Sequence, residues 1–181
     1  MTEKHILLPI ETSEILSLSV GDIVFLSGIL CTGRDQVHKR IFDMEKDKQP
    51  LPTEFNIVKG GAIYHMGPIV KQLLNSSYQI VSGGPTTSER MSPYQADVCR
   101  ILGTPIVIGK GGMKSVNWSK IPAIYLQFPG GAGAIATKFI ENVEGVLWLD
   151  LGPPEAVWFL RVKNFGPCIV AMDAKGNSLF T

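Results

Sequence analysis

The apolar positions of this chain fall into short runs with two different periods. His5–Ile10 and Ile23–Leu26 read as strands, with a Gly-Asp turn at Gly21-Asp22 ahead of the second. Val37, Ile41, Phe42 and Met44 recur at helical spacing, so Asp35–Lys46 is expected to be an amphipathic helix. Lys48-Gln-Pro-Leu-Pro52 ends it, because proline brings no N–H to the helix ladder. Ala62–Met66 and Tyr78–Val81 return to strand. Gly83–Ser88 is a loop, after which Ser88 or Ser92 can cap a helix running to Leu102. Pro105–Ile108 and Ala123–Phe128 read as strands, and Pro129–Gly133 breaks into a helix expected over Ala134–Val143. Val146–Leu149, Val157–Val162 and Ile169–Asp173 complete the strands. This alternation gives an α/β or mixed α+β fold in a single domain, residues 1–181, with the strand order left open.

Composition narrows the picture. With 45% hydrophobic and 18% charged residues the chain reads as globular. A formal net charge of +1 gives no reason to expect nucleic acid or an anionic membrane as partner. No apolar run reaches the roughly 20 residues that span a bilayer. The opening Met1-Thr-Glu-Lys-His leads into a strand rather than a signal segment, so a cytoplasmic protein is expected. Cys31, Cys99 and Cys168 lack metal-site spacing and read as buried small hydrophobes. His5, His38 and His65 are scattered, so no metal site is expected from this chain.

Three loops share a pattern. Each follows an expected strand, is rich in Gly, Ser or Thr, and carries one cation: Arg34, Arg90 and Lys110. Two lead into helices, whose free N–H groups favour anions. Arginine adds a planar fork that matches a carboxylate. Taken singly, each loop reads as a tight turn with a solvated cation. Converging, the three would grip a small di- or tri-anion and orient it. His38 lies one helical turn beyond Arg34 on the same face. No complete P-loop, dinucleotide fingerprint or nucleophile elbow is present.

The wording of these loops resembles a known family. Ser27-Gly-Ile-Leu-Cys-Thr-Gly-Arg-Asp35, continuing through His38-Lys-Arg40, is similar to a segment of class I fumarases and of tartrate dehydratase β subunits. So are Ile63-Tyr-His-Met-Gly-Pro68, Gly84-Pro-Thr-Thr-Ser-Glu-Arg-Met91 and Ile108-Gly-Lys-Gly-Gly112. The likeness continues through Gly130-Gly-Ala, the Trp148–Trp158 segment and Asp173–Asn177. It implies a swivelling β/β/α domain, with helices packed on a mixed sheet. It further implies the β subunit of an iron–sulfur hydro-lyase that hydrates fumarate reversibly to malate, tartrate dehydration being the alternative. A non-catalytic carboxylate-binding homologue is a third reading.

By the same resemblance, the four-iron–four-sulfur cluster belongs to a partner α subunit and not to this chain. The site would form at the α–β interface, in an α2β2 assembly; alone, the chain would self-associate through that face. Arg34, Arg90 and Lys110, with Thr87, would bind the dicarboxylate. Thr86 matches a threonine that takes the C3 proton, positioning being the plainer alternative, and a free hydroxyl needs a cationic setting to do so. Asp35 would orient an arginine or the helix start, and His38 would support the site from behind or at the interface.

Overall fold

The computed structural model describes residues 2–74 and 76–180. In chain order it runs β1 (Glu3–Leu7), α1 (Thr12–Ser17), β2 (Ile23–Thr32), α2 (Asp35–Lys46), β3 (Ala62–Tyr64), the hairpin of β4 (Ile69–Gln72) and β5 (Tyr78–Ser82), and α3 (Ser92–Leu102). There follow β6 (Ile106–Gly109), β7 (Ile124–Gln127), the single turn α4 (Gly133–Ala136), β8 (Ile140–Leu147) and the long β9 (Val157–Met172). Strands β1, β2, β3, β6 and β7 are parallel neighbours in that order. β9 runs antiparallel to β7, carries β8 on its flank, and also pairs with β2. The mixed sheet therefore curls until β9 bridges its two sides.

The period-2 pattern of the strands sorts two cores onto the two faces. Leu30, Ala62, Tyr64, Ile106, Ile108, Ile124, Leu126, Trp158 and Leu160 point into the curl. Their chain neighbours Cys31, Ile63, Val107, Tyr125 and Phe159 point the other way, against Val37 and Ile41 of α2 and Val98 and Leu102 of α3. Each fully buried Leu, Ile or Val of this kind contributes about 1.5–3 kcal/mol by leaving water. Because both faces are covered, the central strands read as continuous apolar runs. The fold is thus mixed α/β, with α2 and α3 packed on one face of a mixed sheet and Ile15 of α1 and Ala136 of α4 joining the core inside its curl.

Several expectations hold and others are corrected. The helix Asp35–Lys46 forms with the expected bounds. Helix α3 ends at Leu102 on Gly103, whose φ of 63° is the left-handed conformation a C-terminal glycine adopts at low cost. Neither Ser88 nor Ser92 caps α3: Met91 stands at the N-cap and makes no side-chain cap bond. Ser88 belongs to a 3-10 turn over Ser88–Met91, and its hydroxyl faces His65 and Tyr125. The helix expected over Ala134–Val143 is also overturned. Only Gly133–Ala136 is α-helical, and from Ile140 the chain is strand β8. Val143, Gly145 and Val146 are poor helix formers, and β9 offers them a ladder. The separate strands expected at Val157–Val162 and Ile169–Asp173 are one strand of 16 residues, bent at register shifts against β2. Helix α1 and strand β4 had no sequence expectation.

Asp22 fastens the amino end of the sheet. Its carboxylate accepts from the Thr2 hydroxyl at 2.7 Å and the Ser19 N–H at 3.1 Å, with Lys4 Nζ 3.4 Å away. The Thr2 hydroxyl bond, helped by Ser19 and Lys4, outweighs burial and brings the carboxyl down to about 2. A depressed carboxyl stabilises the fold above its unfolded pKa, and that stability is lost as pH falls through the folded value. Asp22→Asn is therefore expected to cost about 2 kcal/mol at neutral pH. The gap should close as pH drops below about 4, the unfolded value. Urea unfolding of both proteins across that range checks this, and a gap independent of pH would contradict it.

Candidate functional site

The carboxyl ends of the parallel strands β2, β3 and β6 meet at one edge of the sheet, where α/β proteins place their ligands. The chain leaves β2 through Gly33, whose N–H donates to the Tyr64 carbonyl at 3.0 Å. Arg34 follows as the N-cap residue of α2, and its carbonyl accepts the His38 N–H at 3.0 Å. Its side chain is fixed from two sides. Arg34 Nε lies 2.9 Å from Glu155 Oε1. The guanidinium also passes across Gly67, where an added Cβ would sit 2.7 Å from Nη1 and 2.6 Å from the Pro154 carbonyl. Only glycine admits this approach. The Nε–Glu155 contact is an ion pair by distance, without the alignment of a hydrogen bond.

Glu155 is itself held, since Oε2 accepts the Gln36 N–H at 3.4 Å. Burial raises its carboxyl above the ordinary range, and the Arg34 charge pulls back against that rise.

The second loop is woven between its neighbours. Pro85 bridges Met66, the Thr86 N–H donates to the His65 carbonyl at 2.7 Å, and Thr87 pairs with Lys110. Ser88 N–H donates to the Lys110 carbonyl at 3.1 Å. Thr86 is thus anchored by its backbone while its side chain is half-buried. Arg90 Nη2 donates to Thr86 Oγ1 at 3.1 Å and lies 3.4 Å from Asp35 Oδ1. One guanidinium therefore joins the loop after β2 to the loop before α3. The Lys110 stem rests beside Gly130, and no ion pair engages its ammonium among the described residues. Thr87 is exposed at the same edge.

His38 stands behind these loops, fully buried, with Nδ1 2.9 Å from the Arg34 carbonyl. Its ring meets the His65 ring edge-on at 5.0 Å. Gln95 lies between the two, and His65 continues to Ser88 and Tyr125. Desolvation brings His38 down to about 4 and holds His65 well below its ordinary value. The structure thus gathers Arg34, Asp35, Thr86, Arg90 and, through the backbone, Thr87 and Lys110 at one edge, with His38 beneath it. Sequence reasoning missed Glu155, His65, Ser88, Gln95 and Tyr125. Glu155 sits inside the Trp148–Trp158 segment that the resemblance singled out. Gln95 carried no local signal.

A metal cluster does not fit this chain's own residues. Cys31, Cys99 and Cys168 are all buried and free. Burial pushes the Cys31 and Cys99 thiols up to about 12 and raises Cys168 as well, whereas a metal takes thiolate. Among the described residues no group of three or more His, Cys, Asp and Glu side chains could hold a metal ion. None of the described helices is long and apolar enough to cross a membrane.

Three cations and two carboxylates thus meet at one edge of a mixed α/β sheet, beside a half-buried hydroxyl. Comparison with known proteins places the chain more closely. The family model for the fumarase C-terminus matches residues 2–181, and the chain belongs to that family. It is 38% identical over 180 residues to the L(+)-tartrate dehydratase subunit beta of Escherichia coli K12, covering 98% of this chain and 86% of that one. A Methanocaldococcus jannaschii protein, provisionally named for the same subunit, is 43% identical over 171 residues, covering 92% and 86%. A Geobacillus stearothermophilus protein, provisionally named a class I fumarate hydratase, is 41% identical over 174 residues. That match covers 94% of this chain and 32% of the relative, so this chain corresponds to one part of a longer protein there.

Proposed function

We propose that this chain is the β subunit of a two-subunit hydro-lyase that interconverts fumarate and malate. The observation that carries the reading is the Arg90 guanidinium, which touches Thr86 Oγ1 at 3.1 Å and Asp35 at 3.4 Å beside the Arg34 fork. Arg34, Arg90 and Lys110, with Thr87, would take the two carboxylates. Asp35 would hold Arg90 in place, and His38 would steady the Arg34 backbone. An arginine N–H donated to Thr86 Oγ1 stabilises that oxygen as it becomes negative, which favours loss of its proton. In the dehydration direction the deprotonated oxygen would accept the C3 proton, the C–H electron pair forming the C2–C3 double bond as the C2–O bond breaks and hydroxide leaves; in hydration hydroxide would add to C2 as the Thr86 hydroxyl returns the proton to C3.

The names of the relatives support a partner subunit and a dehydratase or hydratase chemistry. The family's four-iron–four-sulfur cluster would belong to an α chain, since the thiols here do not fit it. Assembly as α2β2 in the cytoplasm completes the proposal, with the isolated chain associating through the edge that carries Arg90. Tartrate dehydration is the second reading, favoured by the names of the relatives with the fuller coverage. The two substrates differ by one hydroxyl, so one hydrogen-bond partner decides between them.

The test is an anaerobic assay of the chain alone and co-expressed with its α chain, on fumarate, malate and tartrate. An inert chain and a coloured complex that hydrates fumarate are expected. Turnover of tartrate alone would overturn the substrate, and activity of the isolated chain would overturn the division of labour.

A further inference from the structure

The buried network behind the loops has a direction. His38 Nδ1 lies 2.9 Å from the Arg34 carbonyl. The structure sets Gln95 Oε1 3.1 Å from His38 Nε2 and 2.8 Å from His65 Nε2, with Gln95 Nε2 3.3 Å from Cys99 Sγ. His38, His65 and Gln95 are all wholly buried. A carbonyl oxygen only accepts, so the Arg34 contact requires a proton on His38 Nδ1. A neutral imidazole carries one N–H, so His38 Nε2 must then accept, and an amide oxygen gives it nothing to accept. The alternative is a buried imidazolium 5.0 Å from a second imidazole, with no carboxylate paired to it among the described residues. That charge is costly to bury. The low pKa values of both rings agree with neutral imidazoles.

We propose that Gln95 is a positioning residue whose amide nitrogen, rather than its oxygen, faces both rings. One N–H donates to His38 Nε2, the other to His65 Nε2, and Oε1 accepts the Cys99 thiol proton. A half-turn of the amide exchanges O and N and leaves the contact distances in place. Every ring nitrogen then has a partner of the right polarity, since His65 Nδ1–H donates to Ser88 Oγ at 2.8 Å. Through His38 the fork holds the carbonyl of Arg34. Through His65 it holds the residue whose own carbonyl receives the Thr86 N–H. Gln95, on α3, thereby sets the spacing of the arginine loop and the threonine loop without touching substrate. The importance of that spacing for catalysis rests on the proposed function, whereas the polarity of the fork does not.

The test uses the full chain with 15N-labelled histidine near neutral pH, read by long-range 1H–15N correlation. His5 is exposed and distinguishable by solvent exchange. His38 and His65 are both expected as the Nδ1–H tautomer, with Nε2 unprotonated. A proton on His38 Nε2, whether as the other tautomer or as imidazolium, overturns the inference. Gln95→Glu keeps the shape and removes the donor. It is expected to convert His38 to imidazolium and to speed amide exchange at Thr86 and His38 about tenfold. Exchange at Ile124, bonded to Pro105 across the sheet, should stay unchanged. An unchanged His38 tautomer in the variant, or equal acceleration at all three amides, overturns the positioning role. Neither measurement needs turnover, so an inert α–β complex with the expected tautomers would sink the proposed function alone.

Discussion

Arg90→Ala is expected to lower kcat/KM of the assembled complex by about 30-fold to several-thousand-fold. This corresponds to the roughly 2–5 kcal/mol that follows truncation of one partner in a desolvated charge pair. On the proposed reading two contacts vanish together: a charge-assisted bond to a substrate carboxylate, and the observed bond from Arg90 Nη2 to Thr86 Oγ1. If Thr86 takes the proton, loss of the second contact lowers kcat, while loss of the first raises KM. Arg90→Lys keeps the charge and loses the fork, so it should fall between the wild type and alanine. The fold should not suffer. The Arg90 and Asp35 side chains are 48% and 44% exposed, and such a pair contributes no more than about 1 kcal/mol. Wild-type kinetics in an Arg90→Ala complex would remove Arg90 from the substrate.

Trp158→Ala should produce the largest loss of stability, about 3–5 kcal/mol, because the cavity left by a buried Trp collapses only in part. For a chain of this size that lowers Tm by roughly 10 °C. Trp158 is fully buried inside the curl of the sheet, edge-on to Tyr78 at 5.0 Å. Its backbone N–H donates to Thr32 Oγ1 at 2.9 Å, and its indole N–H donates to the Pro153 carbonyl at 2.9 Å. The second bond reaches the turn that carries Glu155, the partner of Arg34. Trp158→Phe keeps most of the packing and loses the bond to the carbonyl of exposed Pro153, a cost of about 0.5–1.5 kcal/mol. Calorimetry separates the two variants, and equal Tm losses would mean that packing alone matters at this position.

The contrast between α2 and β8 shows which parts of the fold were legible. Val37 and Ile41 bury one stripe of a helix whose ends are marked by Arg34-Asp35 at the start and by the prolines beyond, so local spacing sufficed. Ile135, Phe139, Ile140 and Val143 offer comparable spacing, yet Ile140–Leu147 is extended, because β9 supplies hydrogen bonds that a local pattern does not display. The same division runs through the site. Arg34, Arg90 and Lys110 stand out because cations beside glycines carry a local chemical signature. Glu155 and Gln95 do not, because each acts on a residue distant in sequence.

By itself the sequence determined the strand–helix alternation, the helix over Asp35–Lys46, the three cation-bearing loops and the family to which the chain belongs. These follow from side-chain period, turn chemistry and motif wording, all read within a few residues. The tertiary structure alone decided that β9 closes the sheet onto β2, that β8 is a strand, and that Glu155 fixes the Arg34 fork. It also decided that two histidines are buried around one glutamine. Each of these is a pairing across the chain, made when the curl of the sheet brings distant backbone and polar groups into one buried space, where every donor requires an acceptor.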